Sequence, residues 1–196
     1  MKSHKSIRLE TPRLILRPYR MSDADEVTRQ LQRRVVTRYT YIPHPYQSND
    51  YYQFLRRLRS PKFRRHNIVF AIVDRTTNKV IGAVGVHGMD FKNKSTEIGY
   101  WLAKSYWGQG IVVEALIRVV DYLFTGPTFH RVFARVFHPN TRSARVLEKA
   151  GFTQEGRLRK AVWHNNQWMD MLYFGLLRED WSKIKKTRRS KRAGSI

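Results

Sequence analysis

Apolar and polar positions along the chain divide it into short strands and helices joined by polar turns. Short apolar runs predict strands, whereas apolar residues spaced three and four apart predict helices. The predicted strands are 14–16, 68–73, 80–87, 97–102, 132–137, 158–164 and 168–177. The predicted helices begin at Ser22 and Ser48, span 111–124 and run from Asn140 to Ala150. This order predicts a mixed α/β domain, neither a Rossmann sheet nor a helical bundle.

Turn and cap residues indicate where several of these elements begin and end. Ser22 and Asn140 are typical helix N-caps, and Gly151 suits the left-handed position after a helix. Residues 76–78 are turn-like and predict a hairpin between the strands on either side. The pair at 165–166, both asparagine, tolerates the positive φ of a second hairpin turn.

Composition narrows the class of protein. The 196 residues, 41% of them hydrophobic, are enough for one domain with a sizeable core. The absence of cysteine excludes disulfides, thiolate metal sites and a cysteine nucleophile. No run approaches the ~20 apolar residues of a spanning helix, and the first residues carry charge without an apolar block. We therefore expect a cytoplasmic protein with no membrane partner.

The charge balance points to anionic partners. The formal net charge is +23 and the sequence pI is about 10.9. Such a surface attracts nucleic acid, ribosomes, acidic peptides or anionic small ligands. Charge alone does not choose among them.

The stretch from Tyr106 to Ala115 joins a strand to a helix through a glycine-punctuated turn. Unpartnered N–H groups and the helix dipole make a helix N-terminus a site for anions, and Gly108 and Gly110 let the backbone approach the ligand closely. The turn lacks the third glycine of a dinucleotide fingerprint and the Lys-Ser/Thr of a nucleotide P-loop. By itself it predicts a phosphate-bearing ligand.

Four separated blocks, in order and at compatible spacing, resemble the GNAT acyl-CoA-dependent N-acetyltransferases. Within that superfamily they are most similar to the RimJ/RimL-like group, which includes N-terminal acetyltransferases of ribosomal proteins. The blocks are residues 9–17, 97–102 with 106–110, 140–143 with 148–152, and Glu155, Gly156, Asp170 and Tyr173. The resemblance implies an acetyltransferase domain at 8–181, after an N-terminal extension at 1–7 and before a basic, disordered or conditionally ordered tail at 182–196.

The resemblance also implies an architecture and a cofactor. We expect a central, mostly antiparallel twisted sheet, flanked by helices and split in a V between strands 97–102 and 132–137. Acetyl-CoA, the co-substrate, would lie in the split with its pantetheine arm along 100–102 and its pyrophosphate on the amides of 108–112. The expected cofactor-binding residues are Tyr100, Trp101, Leu102, Trp107, Gly108, Gln109, Gly110, Ile111, Val112 and Asn140. Val112 stands where many members have Gly or Ala, but backbone contacts should preserve binding.

Acetyl transfer from a thioester requires a neutral amine, a donor for the oxyanion and an acid for the departing thiolate. Glu97 is the first candidate for the base, directly or through water. It shares a strand face with Gly99 and Trp101, and Gly99 leaves room for an amine. The alternative is a solvent-facing carboxylate or a structural ion pair.

Ser143 matches a serine that could protonate the thiolate in Rim-like enzymes. Its alternative role is a local hydrogen bond in the first helical turn, as that of Asn140 is a helix cap. His87 and His138 lie at predicted strand ends near the expected cleft and are held in reserve. No His, Asp and Glu set has metal-ligand spacing, so we expect no metal.

These observations favour an acetyl-CoA-dependent N-acetyltransferase acting on a protein or peptide N-terminal α-amine, a ribosomal protein among the candidates. One alternative acceptor is a small-molecule amine. A second alternative is a non-catalytic ribosome- or RNA-associated protein that uses the basic surface and tail. Acceptor choice should depend on residues 39–52 and 163–168. Monomer and homodimer both remain open.

Overall fold

The computed structural model describes residues 7–193, apart from the side chains at 188, 189 and 191–193. Eight strands form one sheet in the order β1-β2-β3-β4-β5-β6-β8-β7. They are β1 Leu9–Glu10, β2 Leu14–Arg17, β3 Ile68–Asp74, β4 Val80–Asp90, β5 Ser95–Leu102, β6 Arg131–Phe137, β7 Thr153–His164 and β8 Gln167–Leu177. The helices are α1 Ala24–Leu31, α2 Arg34–Thr37, α3 Ser48–Arg59, α4 Pro61–His66, α5 Ile111–Thr125, α6 Thr141–Ala150 and α7 Arg178–Ala193.

The mixed architecture and every predicted strand are confirmed. Both predicted hairpins are present, and Asn165 and Asn166 have the positive φ values, 50° and 58°, that their turn requires. Gly151 ends α6 at φ 108°. Four short or polar elements were not predicted as separate units, namely β1, α2, α4 and α7.

The sheet is antiparallel except at its centre. Strands β5 and β6 run parallel and pair only from Ser95 with Arg131 to Glu97 with Phe133. Within the described chain, β5 therefore has no strand partner on its β6 side from Ile98 onward. This is the expected V-shaped split.

The two faces of the sheet have separate hydrophobic cores. On one side α5 and α6 pack on Ile98, Leu102 and their neighbours, whereas on the other α1 and α3 pack on Trp101 and Ala83. The alternation predicted for β5 is confirmed, because consecutive residues enter opposite cores. No helix among residues 7–193 is long and apolar enough to cross a bilayer.

The first helix begins differently from the prediction. Ser22 lies inside a 3-10 turn, Met21–Asp23, and α1 follows without a side-chain cap. Asp23 organises this corner instead, because it accepts from the Arg20 amide at 2.7 Å and from both ends of the Arg17 guanidinium at 2.8 Å. The Arg17 and Asp23 side chains are only 8% and 6% exposed. A buried ion pair therefore replaces the predicted hydroxyl cap.

The segment predicted as a basic, disordered or conditionally ordered tail is helical where the structure describes it. Residues 178–193 form α7, so the boundary at 181 falls inside a helix. Trp181 is buried, Ile184 packs against the same core, and Lys185 bonds Asp121 of α5. Trp181 and Ile184, three residues apart, were not recognised as core residues from the sequence because basic residues surround them. Residues 1–6 of the predicted extension and 194–196 of the tail lie outside the described residues.

We predict that Asp23→Ala lowers the free energy of unfolding by about 3–5 kcal/mol, because it leaves the Arg17 charge buried without its partner. Urea unfolding would measure the loss. Glu10→Ala is the matched control, since it breaks ion pairs of Glu10 with Arg8 and Arg75 that are all well exposed. Equal shifts in the two midpoints would contradict the assignment.

Candidate active site

One large cleft follows the split in the sheet. Its volume is about 1870 Å³, and it runs from the turn before α5, past β5 and β6, to the segment between α2 and α3. Its lining has Lys or Arg at eight positions and Asp or Glu at two. The cations that line it are Arg38, Arg56, Arg57, Lys104, Arg135, Arg142, Arg145 and Lys149. The cleft therefore suits anionic groups.

The turn before α5 has the geometry of an anion cradle. Gly108 and Gly110 adopt left-handed conformations at φ 79° and 73°, and Gly110 is the N-cap of α5. The first intrahelical bond described runs from the Glu114 amide to the Gly110 carbonyl. The amides of 111–113, one turn earlier, have no intrahelical acceptor. The side chains of Ile111 and Val112, including the branched side chain of Val112, are buried in the core.

A clamp from the N-terminal strands holds this turn. Arg13 donates to the Gln109 carbonyl at 3.0 Å and forms an ion pair with Glu114 at 2.6 Å. Thr11 also donates to the Glu114 carboxylate. Burial tends to raise the pKa of Glu114, but these hydrogen bonds outweigh it and lower the pKa below its ordinary 4.5. The clamp joins the turn between β1 and β2 to the glycine turn before α5. It also keeps the negative charge of Glu114 in the first turn of α5, where the helix dipole favours it.

Helix α6 forms the opposite wall of the cleft. Asn140 caps it by accepting from the Ser143 amide at 3.3 Å, so the predicted capping role is confirmed. Trp107 donates its indole N–H to the Leu102 carbonyl at 2.8 Å, and the Arg142 guanidinium lies 5.0 Å from the centre of its ring. The indole thus connects the glycine turn to both walls.

Ser143 and Tyr100 meet across the cleft. The Tyr100 hydroxyl lies 2.7 Å from Ser143 Oγ and 3.0 Å from the Ser143 carbonyl oxygen, to which it donates. Burial raises the pKa of Tyr100 well above its usual range, so its proton stays on the ring hydroxyl. Two hydroxyls therefore lie within hydrogen-bond distance of each other at the cleft. Ser143 lies in the first turn of α6, as the local role requires, and its hydroxyl also contacts Tyr100 of β5.

Glu97 lies on the other face of β5 and forms a bidentate ion pair. Its two oxygens accept from Arg135 Nε at 2.8 Å and from a terminal nitrogen at 2.9 Å. The hydrogen bonds to Glu97 raise the pKa of Arg135 above its usual value. The ion pair is the structural alternative considered for Glu97. Its catalytic role stays a prediction.

His87 faces Glu97 across β4 and β5, in direct register. Its ring lies over two glycines, because a Cβ placed on Gly85 would be 2.1 Å from His87 Nε2 and one on Gly99 would be 4.0 Å from Cδ2. The ring lines the cleft. His138, the other reserve histidine, is exposed beyond the end of β6 and does not line the cleft.

The far end of the cleft is aromatic. Tyr39 and Tyr41 of the α2–α3 segment pack on Phe137, whose ring centre lies 4.5 Å from that of His164. His164 also bonds the Arg38 carbonyl at 3.0 Å, which ties the β7–β8 hairpin to the α2–α3 segment. Trp163 and Trp168 pair at the hairpin end with more than half of their surface exposed, outside the cleft lining.

Comparison with known proteins agrees with this geometry. The profile of the Acetyltransferase (GNAT) domain matches residues 13–153. The chain is 32% identical over 178 residues to the uncharacterized N-acetyltransferase p20 of Bacillus licheniformis, covering 89% of this chain and 98% of that protein. This chain belongs to the GNAT acetyltransferase family. It is therefore an N-acetyltransferase whose co-substrate is acetyl-CoA.

Two solved GNAT structures resemble the chain throughout. RimJ of Mycobacterium smegmatis, in complex with CoA-disulfide, matches at 25% identity and TM-score 0.79, covering 93% of this chain and 94% of that one. The ribosomal-protein-S5-alanine acetyltransferase of Vibrio fischeri matches at 25% identity and TM-score 0.78, covering 90% and 99%. The predicted similarity to the RimJ/RimL-like group is confirmed.

For a GNAT enzyme the cleft contains both expected and unexpected residues. All the predicted cofactor residues except Gln109 line the cleft, and so does Ser143 of α6. The Gln109 side chain instead donates to the Ser105 carbonyl. Among the described residues, no cluster of three His, Asp or Glu could hold a metal ion. Sequence reasoning missed the pairing of Arg135 with Glu97 and the contact of the Tyr100 hydroxyl with Ser143. It placed both reserve histidines near the cleft, which is confirmed for His87 and wrong for His138. The glycines at 85 and 99 were the available signal for His87, because they flank its ring across the paired strands.

We predict that Gly108→Ala raises the Kd for acetyl-CoA about tenfold, or ~1.4 kcal/mol. Its φ of +79° strains any other residue, so the turn should shift away from the phosphates. Gly88→Ala is the matched control, because Gly88 also has a positive φ and open space but lies outside the cleft lining. Calorimetry would compare the two, and equal affinities would contradict the cradle.

Proposed function

We propose that this N-acetyltransferase acetylates the N-terminal α-amine of a protein or peptide, with a ribosomal protein as the leading candidate. The observation that carries the proposal is the continuity of the cleft beyond the split. The same cavity that lines the glycine turn extends along the α2–α3 segment, at residues 39–43, and along α3. A polypeptide terminus can enter such an open groove and direct its first amine toward the split.

The relatives support this acceptor class. The Vibrio fischeri protein is named as a ribosomal-protein-S5-alanine acetyltransferase, and its fold and length match this chain nearly end to end. The excess of basic side chains in the cleft disfavours a polycationic small molecule, which is the second acceptor class considered. The exposed basic run of α3 and α4 could further bring the enzyme to the ribosome, and binding of this kind weakens with salt. Cytoplasmic location and oligomeric state remain predictions.

In the proposed reaction acetyl-CoA lies with its phosphates on the amides of 108–112 and its pantetheine arm along Tyr100–Leu102. Those positions combine the glycine turn with the unpaired edge of β5. The acceptor amine enters from the opposite side and attacks the thioester carbonyl. Ser143, linked to Tyr100, is the proposed acid for the departing thiolate.

A panel of short peptides tests the acceptor class. We expect turnover of peptides that begin with a free Ala or Ser. Turnover should be at least tenfold lower for matched peptides whose α-amine is blocked and whose only free amine is that of an internal lysine. Mass spectrometry would locate the acetyl group, and release of CoA thiol would give the rate. Spermidine represents the small-molecule alternative, and turnover confined to spermidine would reject the proposal.

A further inference from the structure

The Glu97 carboxylate is poorly placed to act alone as the base. Both of its oxygens accept hydrogen bonds from Arg135, at 2.8 and 2.9 Å. A proton from the amine would have to displace part of this bidentate pair. Another acceptor on the same face of the sheet would avoid that cost.

We infer that His87 is the general base, and that the Glu97 carboxylate opposite it, paired with Arg135, stabilises the imidazolium. This rests on the proposed amine acetylation at the same site. His87 lies on the face of β4 that lines the acceptor side of the cleft, opposite Glu97 in register. Its ring makes no hydrogen bond to another residue within the described part of the chain, so its nitrogens remain available to an amine.

The backbone is shaped around this ring. Gly85, two residues earlier on β4, lies under the ring so closely that an added Cβ would be 2.1 Å from Nε2. Gly99, its partner on β5, lies beneath the ring's other edge. Larger residues at these two positions would force the ring away from the sheet. The ring therefore lies over Gly85 and Gly99, close to the point where β5 leaves β6. The thioester of a cofactor lying along β5 would sit at that point.

The electrostatic setting favours a base at neutral pH. Burial lowers the pKa of His87 below the ordinary 6.5, Glu97 on β5 opposes that shift, and Arg57 on α3 adds to it. The imidazole is therefore neutral at pH 7 and can accept a proton. Once protonated, it faces the Glu97 carboxylate, whose own charge is balanced by Arg135 of β6.

The proposed reaction transfers the acetyl group from sulfur to nitrogen and moves two protons. The amine lone pair forms the new C–N bond to the acetyl carbon, and the carbonyl π electrons move to oxygen. The nitrogen transfers one proton to the His87 imidazole. Collapse of the tetrahedral intermediate restores the carbonyl and breaks the C–S bond, so that sulfur departs with the electron pair. A proton from Ser143 converts the thiolate to CoA thiol, and the proton released by the His87 imidazolium returns through water to the Ser143 oxygen. The products are the N-acetyl amine and CoA.

The test measures kcat, and kcat/KM against pH, for wild type, His87→Gln and Glu97→Gln, because kcat/KM reports the pKa values of the free enzyme and the free amine. The acceptor is whichever probe the wild type turns over, an Ala- or Ser-initiated peptide or spermidine. Failure of the proposed acceptor class is thereby separated from failure of this inference. We expect His87→Gln to lower kcat by roughly 100-fold with an unchanged Kd for acetyl-CoA. Glu97→Gln should lower it only several-fold. His138→Gln, on an exposed histidine outside the cleft, should match wild type.

The pH profile separates a base from a structural residue. Wild-type kcat/KM should fall as the pH drops through a pKa below 6.5, because protonation removes the base. That limb should vanish in His87→Gln, whereas a limb from an α-amine acceptor near pH 8 should persist in all variants. Gly85→Ala keeps the imidazole but displaces it, and should lower kcat at least tenfold even if His87→Gln fails to fold. A large loss of kcat in Glu97→Gln, with near-normal kcat in His87→Gln and Gly85→Ala, would overturn the inference. An acid limb that persists in His87→Gln would also overturn it.

Discussion

The active site depends on the early end of hydrogen bonding between β5 and β6. After Glu97 and Phe133 the two parallel strands separate, and β5 is left with an unpaired edge in the interior of the sheet. Unpaired backbone groups inside a sheet require other partners. In the proposed complex the amide-bearing pantetheine arm of acetyl-CoA supplies such partners. Because β5 and β6 are parallel, they end on the same side, and α5 and α6 both begin there. Two helix N-termini therefore converge on the split, where an anion is stabilised.

The split also brings the two faces of β5 to one reaction centre. Successive residues of a strand point to opposite sides, so Tyr100 reaches Ser143 under α6 while Glu97 faces His87 above the other core. In an unbroken sheet these two groups would be separated by the backbone layer. Where β6 diverges, a thioester along the edge of β5 is accessible from both sides. The proposed acid and the proposed base therefore lie on different faces of the sheet.

Much of this could be predicted because its signals are local. The two glycines before α5, Asn140 before α6 and the alternation of β5 each follow from neighbouring residues, and each is confirmed in the structure. The remaining features depend on distant residues. Nothing near Glu97 indicates that Arg135 would bind both of its oxygens, because the two are 38 residues apart. Likewise the anchors of α7, Trp181 and Ile184, are concealed in a basic segment, and their partners lie on other elements.

Hydrogen exchange with and without acetyl-CoA tests the central claim most directly, since the claim is that the diverging edge of β5 and the turn before α5 hold the cofactor together. We expect acetyl-CoA to slow exchange of the amides at 99–102 and 108–113, while the paired amides of the β7–β8 hairpin change little. Protection confined to other segments, with exchange at both of these stretches unchanged, would contradict the account.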